Sequence, residues 1–331
     1  MRTYRLERVG SIEGLVAVDE EIPSPAEGQV LVKVKASSIN FRDMAIVNGM
    51  YPVPPIPRAI PLSDAAGEVA EVGNGVSRFK VGDRVVNSYF PTWFGGPFDT
   101  MHEQYFIQHD GWLTEYKVVS EQALVAMPEL LSFEEAATLP CAGVTAWSAL
   151  AGVGPGDTVL TQGTGGVSLF AVQLAKAFGA QVIATTSTSD KAVRLRKLGA
   201  DHVLNYRTSP DWGEQARALT NGRGVDRVIE VGGPETLAQS VAAVAIGGQV
   251  SLIGILAGVT GGLDFMTMFM SQARFHPIAI GSRRSLEEMM RVLAQHRIQP
   301  VIDSVFPLDE AKAGWAHFAD RQLFGKVVFK H

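Results

Sequence analysis

Four apolar runs, 158–162, 181–185, 226–231 and 249–255, are separated by helix-length segments, and this rhythm constrains the chain more than any other feature. Short apolar strands alternating with helical stretches between about 126 and 279 make the pattern of a parallel, doubly wound α/β sheet. The first run, Thr158-Val159-Leu160, leads into Gly163-Thr164-Gly165-Gly166. A tight glycine turn between strand and helix lets backbone N–H groups approach a pyrophosphate at the positive end of the helix. The stretch that follows reads as that helix. Val167, Phe170, Ala171, Leu174 and Phe178 recur at helical spacing, and Gly179 stands where a C-terminal cap belongs. The spacing G-x-G-x-x-G asks for glycine or alanine at 168. Ser168 stands there instead, and a serine still permits close packing of helix on strand.

A site for NAD places an Asp or Glu about 20 residues past the first glycine, on the adenine ribose. Here the run Gln181-Val182-Ile183-Ala184 exits into Thr185-Thr186-Ser187-Thr188-Ser189, with no acid at the strand end, and Lys191 and Arg194 follow. A 2′-phosphate carries about two negative charges, which an Asp repels and which Lys, Arg and Ser receive. The expected cofactor is therefore NADP(H). A second reading stays open, in which Lys191 and Arg194 are only the solvated face of a helix over 189–198.

At 331 residues the chain exceeds the usual single-domain size, so two domains are expected. With 46% apolar and 19% charged residues it has ample core for a soluble globule. A net charge of −5 with no basic cluster argues against a nucleic-acid or anionic-membrane partner. Met1-Arg2-Thr3-Tyr4-Arg5-Leu6-Glu7 has no apolar leader pattern, and no 18-residue apolar span follows, so a cytoplasmic location is expected. A single cysteine, Cys141, excludes an internal disulfide and an all-cysteine metal site.

Residues up to about 125 read as β-rich and turn-rich. Strands are expected over 30–35, 67–72 and 113–119, and Val81-Gly82-Asp83 turns into Arg84-Val85-Val86. Beyond 285 come a helix over 286–295, a strand over 302–306, a short helix and a closing strand over 325–329. The expected layout is a β-rich domain of residues 1–125 plus 280–331, completed by strands returning from the C-terminal part. A nucleotide domain of residues 126–279 is inserted into it.

Particular residues add to that layout: Ala36-Ser37-Ser38-Ile39-Asn40-Phe41-Arg42-Asp43, Pro61-Leu62-Ser63-Asp64-Ala65-Ala66-Gly67-Glu68-Val69 and Val81-Gly82-Asp83-Arg84-Val85. With them go Ala137-Thr138-Leu139-Pro140, Thr145-Ala146-Trp147, Leu198-Gly199-Ala200-Asp201 and Gly325-Lys326-Val327-Val328. Over nearly its whole length the chain thus resembles the medium-chain dehydrogenase/reductase superfamily, and within it the zinc-free quinone oxidoreductase and enoyl reductase branch. The resemblance implies an α/β fold in which a doubly wound Rossmann-type parallel sheet is inserted into a GroES-like β-rich catalytic domain. In zinc-dependent members the metal is held by an early Cys, a His-Glu pair, and a Cys or acid before the nucleotide domain. At those positions this chain has Asn40, Ser63-Asp64 and Cys141. Zinc needs three protein ligands and an open position, and only Cys141, with Asp64 at best, qualifies. The four-cysteine structural lobe is absent too. No metal is expected, and Cys141 reads as a small buried core residue.

Without a Lewis acid nothing lowers the pKa of an alcohol hydroxyl, so simple alcohol oxidation is difficult. Reducing a quinone, or a C=C conjugated to a carbonyl, is easier. Hydride from NADPH adds to carbon, and the resulting enolate needs hydrogen-bond donors and then a proton. The expected function is an NADPH-dependent oxidoreductase with metal-free hydride transfer to quinones or α,β-unsaturated carbonyl compounds. By resemblance, Asn40 takes the vacated metal position and orients the cofactor or the substrate oxygen. Tyr51, in Asn48-Gly49-Met50-Tyr51-Pro52, matches a loop tyrosine that donates a proton in related enoyl reductases. Asn40 as a brace for its turn and Tyr51 as a packed ring are the alternatives. Arg42 and Asp43 read as a local ion pair. The resemblance also assigns Gly163, Gly165, Gly166 and Val167 to the pyrophosphate, and Ser187, Ser189 and Lys191 to the 2′-phosphate. It puts Tyr206 near the adenine, Gly232, Gly254 and Ile255 on the nicotinamide side, and Thr145 against the cofactor.

Eight aromatics crowd residues 89–112: Tyr89, Phe90, Trp93, Phe94, Phe98, Tyr105, Phe106 and Trp112. They either pack the loop or line a pocket for a hydrophobic or planar carbonyl substrate. None of the seven histidines stands at metal-ligand spacing, and His102 and His109 read as surface residues. The stretch Met266-Thr267-Met268-Phe269-Met270 reads as core or, by resemblance, as a homodimer interface. Two other functions remain: an alcohol dehydrogenase or carbonyl reductase of the same superfamily, and a nucleotide-binding structural or regulatory protein with little turnover.

Overall fold

Alternating valines lay down antiparallel strands along the first third of the chain. β1 (Arg2–Leu6) and β2 (Leu15–Asp19) pair with each other, and β3 (Gln29–Ser38) runs through the middle of a larger sheet. α1 (Phe41–Val47) follows β3 directly; then come β4 (Asp64–Val72), β5 (Arg84–Asn87), β6 (Tyr116–Ser120) and β7 (Leu124–Ala126). β3 pairs with β4 and β6, β4 with β5, and β5 with β7, all antiparallel. Val30, Val32, Val34 and Val69 bury their side chains against Phe79, Val85, Trp112 and Leu124. α2 (Phe133–Ala136) begins at a capping box of Ser132 and Glu135, and a π-turn leads from it into α3 (Val144–Ala149).

The nucleotide-domain rhythm then appears as a parallel sheet. Its elements are β8 (Thr158–Gln162), α4 (Gly166–Ala177), β9 (Gln181–Thr186), α5 (Ser189–Leu198), β10 (His202–Asn205) and α6 (Trp212–Ala218). β11 (Val225–Glu230), α7 (Pro234–Ala243), β12 (Val244–Leu252), α8 (Phe265–Ser271) and β13 (Arg274–Pro277) complete it. The order is β10-β9-β8-β11-β12-β13, every pair parallel. Leu160, Ile183, Val228 and Val250 meet across four neighbouring strands as its core. The winding reverses at β8, so the glycine turn sits at the switch point where such sheets bind ligands. β12 starts five residues before the apolar run at 249, because Gly247 and Gly248 interrupt its pattern.

The last segment returns to the first sheet. α9 (Arg283–His296), β14 (Ile302–Pro307), α10 (Ala311–Ala319) and β15 (Lys326–Lys330) follow, with β15 antiparallel to β3 at Val328↔Ser38 and parallel to β14. This computed structural model describes residues 1–99, 102–256, 258 and 260–331. The chain divides into two units, Met1–Val144 with Gly281–His331, and Thr145–Ile280. The first boundary falls after Val144, not near 125, because β7 pairs with β5 and α2 packs on β3 and β4. Among the described residues no helix is long and apolar enough to cross a membrane.

Candidate active site

In the first unit, the pairing of Ser38 with Asp64 sets the end of β3 beside the start of β4. Asn40 then caps α1: its N–H donates to Asp43 Oδ2 at 2.8 Å. Its side chain is engaged across the strands. Nδ2 donates to Asp64 Oδ2 at 2.9 Å and to Ser63 Oγ at 3.3 Å, and Oδ1 accepts from Lys326 Nζ at 2.5 Å. Lys326 Nζ also donates to the Ile39 carbonyl at 2.5 Å. Asp64 further accepts from Ser63 Oγ at 2.9 Å and from the Cys141 N–H at 3.2 Å. Asn40 thus does brace its turn, and Lys326, which stood in the sequence only as part of a closing strand, completes the cluster.

Every charged member is buried, so the charges must answer one another. Arg42 Nη1 meets Asp43 Oδ1 at 3.1 Å, the local pair expected. Burial pushes the Asp43 carboxyl up to about 6 against the pull of Arg42. Burial also raises Asp64, opposed by Lys326 and by its hydrogen bonds, and lowers the Lys326 ammonium, opposed by Asp64. Two cations thus face two carboxylates. These residues do not fit a catalytic zinc ion. Both Asp64 oxygens already accept internal donors, and Asn40 turns its amide nitrogen to Asp64. Burial and then Asp64 push the Cys141 thiol up. As a whole residue Cys141 is half-buried, short of the full burial expected for it, although its thiol is shielded.

A second set adjoins the first through Arg42. Its Nη2 donates to Gln104 Oε1 at 3.3 Å and to the Tyr105 carbonyl at 3.2 Å. Tyr51 and Tyr89 both donate to the same Gln104 oxygen, at 3.3 and 3.2 Å, and the guanidinium lies 5.3 Å from each ring centre. Tyr51 also packs against the core that contains Ile39, Ile46 and Phe106. Its ring is therefore structural, and the residue as a whole is half-buried. Gln104 carried no sequence signal, since a lone Gln in a loop matches no motif. Six of the eight loop aromatics are buried, which favours packing of the loop; Phe94 and Phe98 are exposed. His102 is half-buried and stacks on Trp93 at 5.6 Å, so the surface reading fails for it.

In the second unit the expected cofactor residues gather at the carboxyl ends of the strands. Gly163 takes φ 73°, which glycine adopts without strain, and its N–H donates to the Thr185 carbonyl at 2.9 Å. A Cβ built at Gly163 or Gly165 meets no atom within 4 Å, so the turn faces open space. Gly166 and Val167 open α4, where the first N–H groups have no partner within the helix. An open turn at a helix N-terminus fits a pyrophosphate. Ser168 Oγ donates to the Gln162 carbonyl at 2.6 Å, so the residue that departs from the glycine pattern ties helix to strand. Thr188 caps α5 by accepting the Lys191 N–H at 3.3 Å, flanked by half-buried Ser187 and exposed Ser189. Thr186, outside the expected set, is buried at the end of β9, and among the described residues its hydroxyl has no partner. An orphaned hydroxyl there fits a polar ligand. Tyr206 joins the same edge through its N–H to Thr186 O at 3.0 Å, and Thr145 is buried in α3.

Gly232 and Gly254 have reasons of their own to be glycine. A Cβ at Gly232 would run into Thr236, and one at Gly254 into the Val231 carbonyl. Ile255 is exposed beside them. Glu230 organises this edge and was not foreseen. Its carboxylate accepts from Gly232 N–H at 2.8 Å, Gly233 N–H at 2.9 Å, Gln162 Nε2 at 2.8 Å, Thr236 Oγ1 at 2.5 Å and Ser240 Oγ. The α8 stretch is no core: Phe265, Met266, Phe269 and Met270 are 75%, 58%, 57% and 68% exposed.

Comparison with known proteins accords with this geometry. Residues 26–129 match the alcohol dehydrogenase GroES-like domain, and 166–295 match the zinc-binding dehydrogenase family. A zinc-type alcohol dehydrogenase-like protein of Schizosaccharomyces pombe is 41% identical over 98% of this chain and 97% of its own. A chloroplast envelope quinone oxidoreductase homolog of Arabidopsis thaliana is 33% identical over 96% and 94%. The crystal structure of an NAD-dependent alcohol dehydrogenase superposes with a TM-score of 0.92 at 34% identity, covering all of both chains. The chain belongs to the medium-chain dehydrogenase/reductase superfamily and is an NAD(P)H-dependent oxidoreductase.

Proposed function

We propose that the chain is an NADPH-dependent reductase of quinones or α,β-unsaturated carbonyl compounds, working without a metal as a cytoplasmic homodimer. The observation that carries this reading is the Asn40–Asp64–Lys326 cluster, in which the chain's own ammonium takes the cationic role and no three ligands are free for zinc. The reduced nicotinamide, when bound, supplies a hydride. Gly163, Gly165, Gly166 and Val167 hold the pyrophosphate by backbone N–H groups. Ser187, Ser189 and Lys191 receive the 2′-phosphate, with Tyr206 beside the adenine. Thr145, Gly232, Gly254 and Ile255 line the rest of the cofactor. Asn40 keeps the substrate side polar, and Tyr51 delivers the proton to the enolate that hydride addition leaves on the substrate. The homodimer would form through the exposed face of α8.

The test is NADPH oxidation against a panel of quinones, enals, enones, aldehydes and acyl-thioesters, with metal analysis of the same preparation. Turnover of enones or quinones that survives chelation is expected. One zinc per chain, with activity lost on its removal, would overturn the reading. Replacing Lys191 by Ala should weaken NADPH far more than NADH; equal losses would remove Lys191 from the phosphate site. The likeness to proteins named alcohol dehydrogenases favours a second reading, a reversible alcohol dehydrogenase or carbonyl reductase. Alcohol-dependent reduction of NADP⁺ faster than enone reduction would select it.

A further inference from the structure

Gln104 Oε1 lies within hydrogen-bond reach of three donors: Tyr89 Oη at 3.2 Å, Tyr51 Oη at 3.3 Å and Arg42 Nη2 at 3.3 Å. A carboxamide oxygen has two lone pairs, so three donors oversubscribe it. Two of the three are fixed. Arg42 is held by Asp43 at 3.1 Å and by the Tyr105 carbonyl at 3.2 Å, and Tyr89 is buried. Tyr51 is half-exposed, sits in a loop and has no such ties, whereas the Arg42 side chain is only 9% exposed, so the Tyr51 hydroxyl is the one that can leave. Gln104 is itself anchored. Its carbonyl accepts the N–H groups of Ile107, Gln108 and His109 at 3.3, 3.1 and 3.3 Å, and its N–H donates to Gln108 Oε1 at 2.9 Å.

We propose that Gln104 is a positioning residue that parks the Tyr51 hydroxyl beside Arg42 in a bond weak enough to be exchanged for the substrate. This rests on the reading of Tyr51 as proton donor. In the step, the Tyr51 O–H bond breaks, the proton goes to the substrate enolate, and the electron pair stays on the phenolic oxygen. The Arg42 guanidinium, 5.3 Å from the ring centre, balances that charge until water returns a proton. Tyr89 takes no part in the transfer; as a competing donor it keeps the Tyr51 bond from becoming tight.

A double-mutant cycle tests this. Steady-state rates on an enone or quinone substrate are measured for the wild-type enzyme, Gln104→Leu, Gln104→Glu, Tyr51→Phe and Tyr51→Phe/Gln104→Leu, with a thermal melt of each. Gln104→Leu should lower kcat by about tenfold, the rate equivalent of one lost hydrogen bond, with KM for NADPH unchanged. Gln104→Glu, whose carboxylate would hold the hydroxyl more tightly and neutralise Arg42, should not recover that loss. In the Tyr51→Phe background Gln104→Leu should cost nothing further. The same fractional loss in both backgrounds, or no loss with Tyr51 intact, overturns the role of Gln104 while leaving Tyr51 as donor. Unchanged kcat in Tyr51→Phe overturns the Tyr51 reading itself, and this one with it.

Discussion

At the scale of single residues, the buried charges of the first unit are each answered by a residue distant in sequence. Lys326 Nζ reaches Asn40 Oδ1 across 286 positions, and its charge opposes the rise that burial gives the Asp64 carboxyl. Removing one partner of a buried pair leaves an uncompensated charge, which costs about 3–5 kcal/mol. Lys326→Met should therefore lower the unfolding free energy by about 3 kcal/mol in urea titration; a loss below about 1 kcal/mol would mean that Asp64 carries no charge at neutral pH. Asp43 gives a pH signature. Its folded pKa, about 6, lies above the ordinary carboxylate value of 3.8, so the folded state binds the extra proton between those values. The cost of its buried charge is fully present above pH 6 and is relieved as pH falls toward 4. Asp43→Asn has no such relief. The stability difference between wild type and Asp43→Asn should thus widen in favour of wild type from pH 7 to pH 4. A constant difference would refute the raised value. Residue types at 40, 63, 64 and 141 were legible as departures from zinc ligands. What they bond was not, because Lys326 is brought to them only by the pairing of β15 with β3.

At the scale of elements, two glycines that the resemblance sets against the cofactor, Gly165 at the pyrophosphate and Gly232 on the nicotinamide side, separate cleanly. Gly165 has φ −79° and ψ 172°, open to any residue, and a Cβ there meets nothing within 4 Å. Gly165→Ala should leave the melting temperature unchanged and weaken NADPH by tenfold or more, roughly one interaction's worth at the pyrophosphate. A Cβ at Gly232 would meet Thr236, whose hydroxyl is held by Glu230 at 2.5 Å and cannot simply swing away. Gly232→Ala should cost about 1–3 kcal/mol of stability, as overpacking does. Urea unfolding and NADPH fluorescence titration of both variants check the contrast; a fold lost in the first, or intact in the second, would reverse the assignments. In the second unit β8, β9, β11 and the end of β12 were readable because each is a local apolar run. β1 and the full length of β12 were not, since β1 has little apolar run and glycine interrupts β12; β2, β10 and β13 were not expected either, although Leu15-Val16-Ala17-Val18 of β2 is an apolar run.

At the scale of the whole molecule, α8 presents an apolar face that the chain itself leaves bare, with Phe265 and Phe269 stacked 6.1 Å apart and no buried residue in the helix. Exposed apolar surface of this kind favours association with a second copy. Sedimentation of the wild type should give a dimer, and Met270→Glu with Phe265→Glu should shift it to monomer without unfolding. A monomeric wild type, or a dimer that survives both charges, would move the interface elsewhere. By itself the sequence determined the alternation of strand and helix, the glycine turn at the switch point, the missing acid after β9 and the lack of a zinc ligand set, because periodicity and residue type act locally. Tertiary structure alone decided that Asn40 is a brace held by Lys326, that Gln104 gathers two tyrosines and an arginine, and that Glu230 ties down the edge at Gly232. Those bonds join residues up to 286 positions apart, and only the register of paired strands and the packing of loops can bring such partners within hydrogen-bond reach of each other.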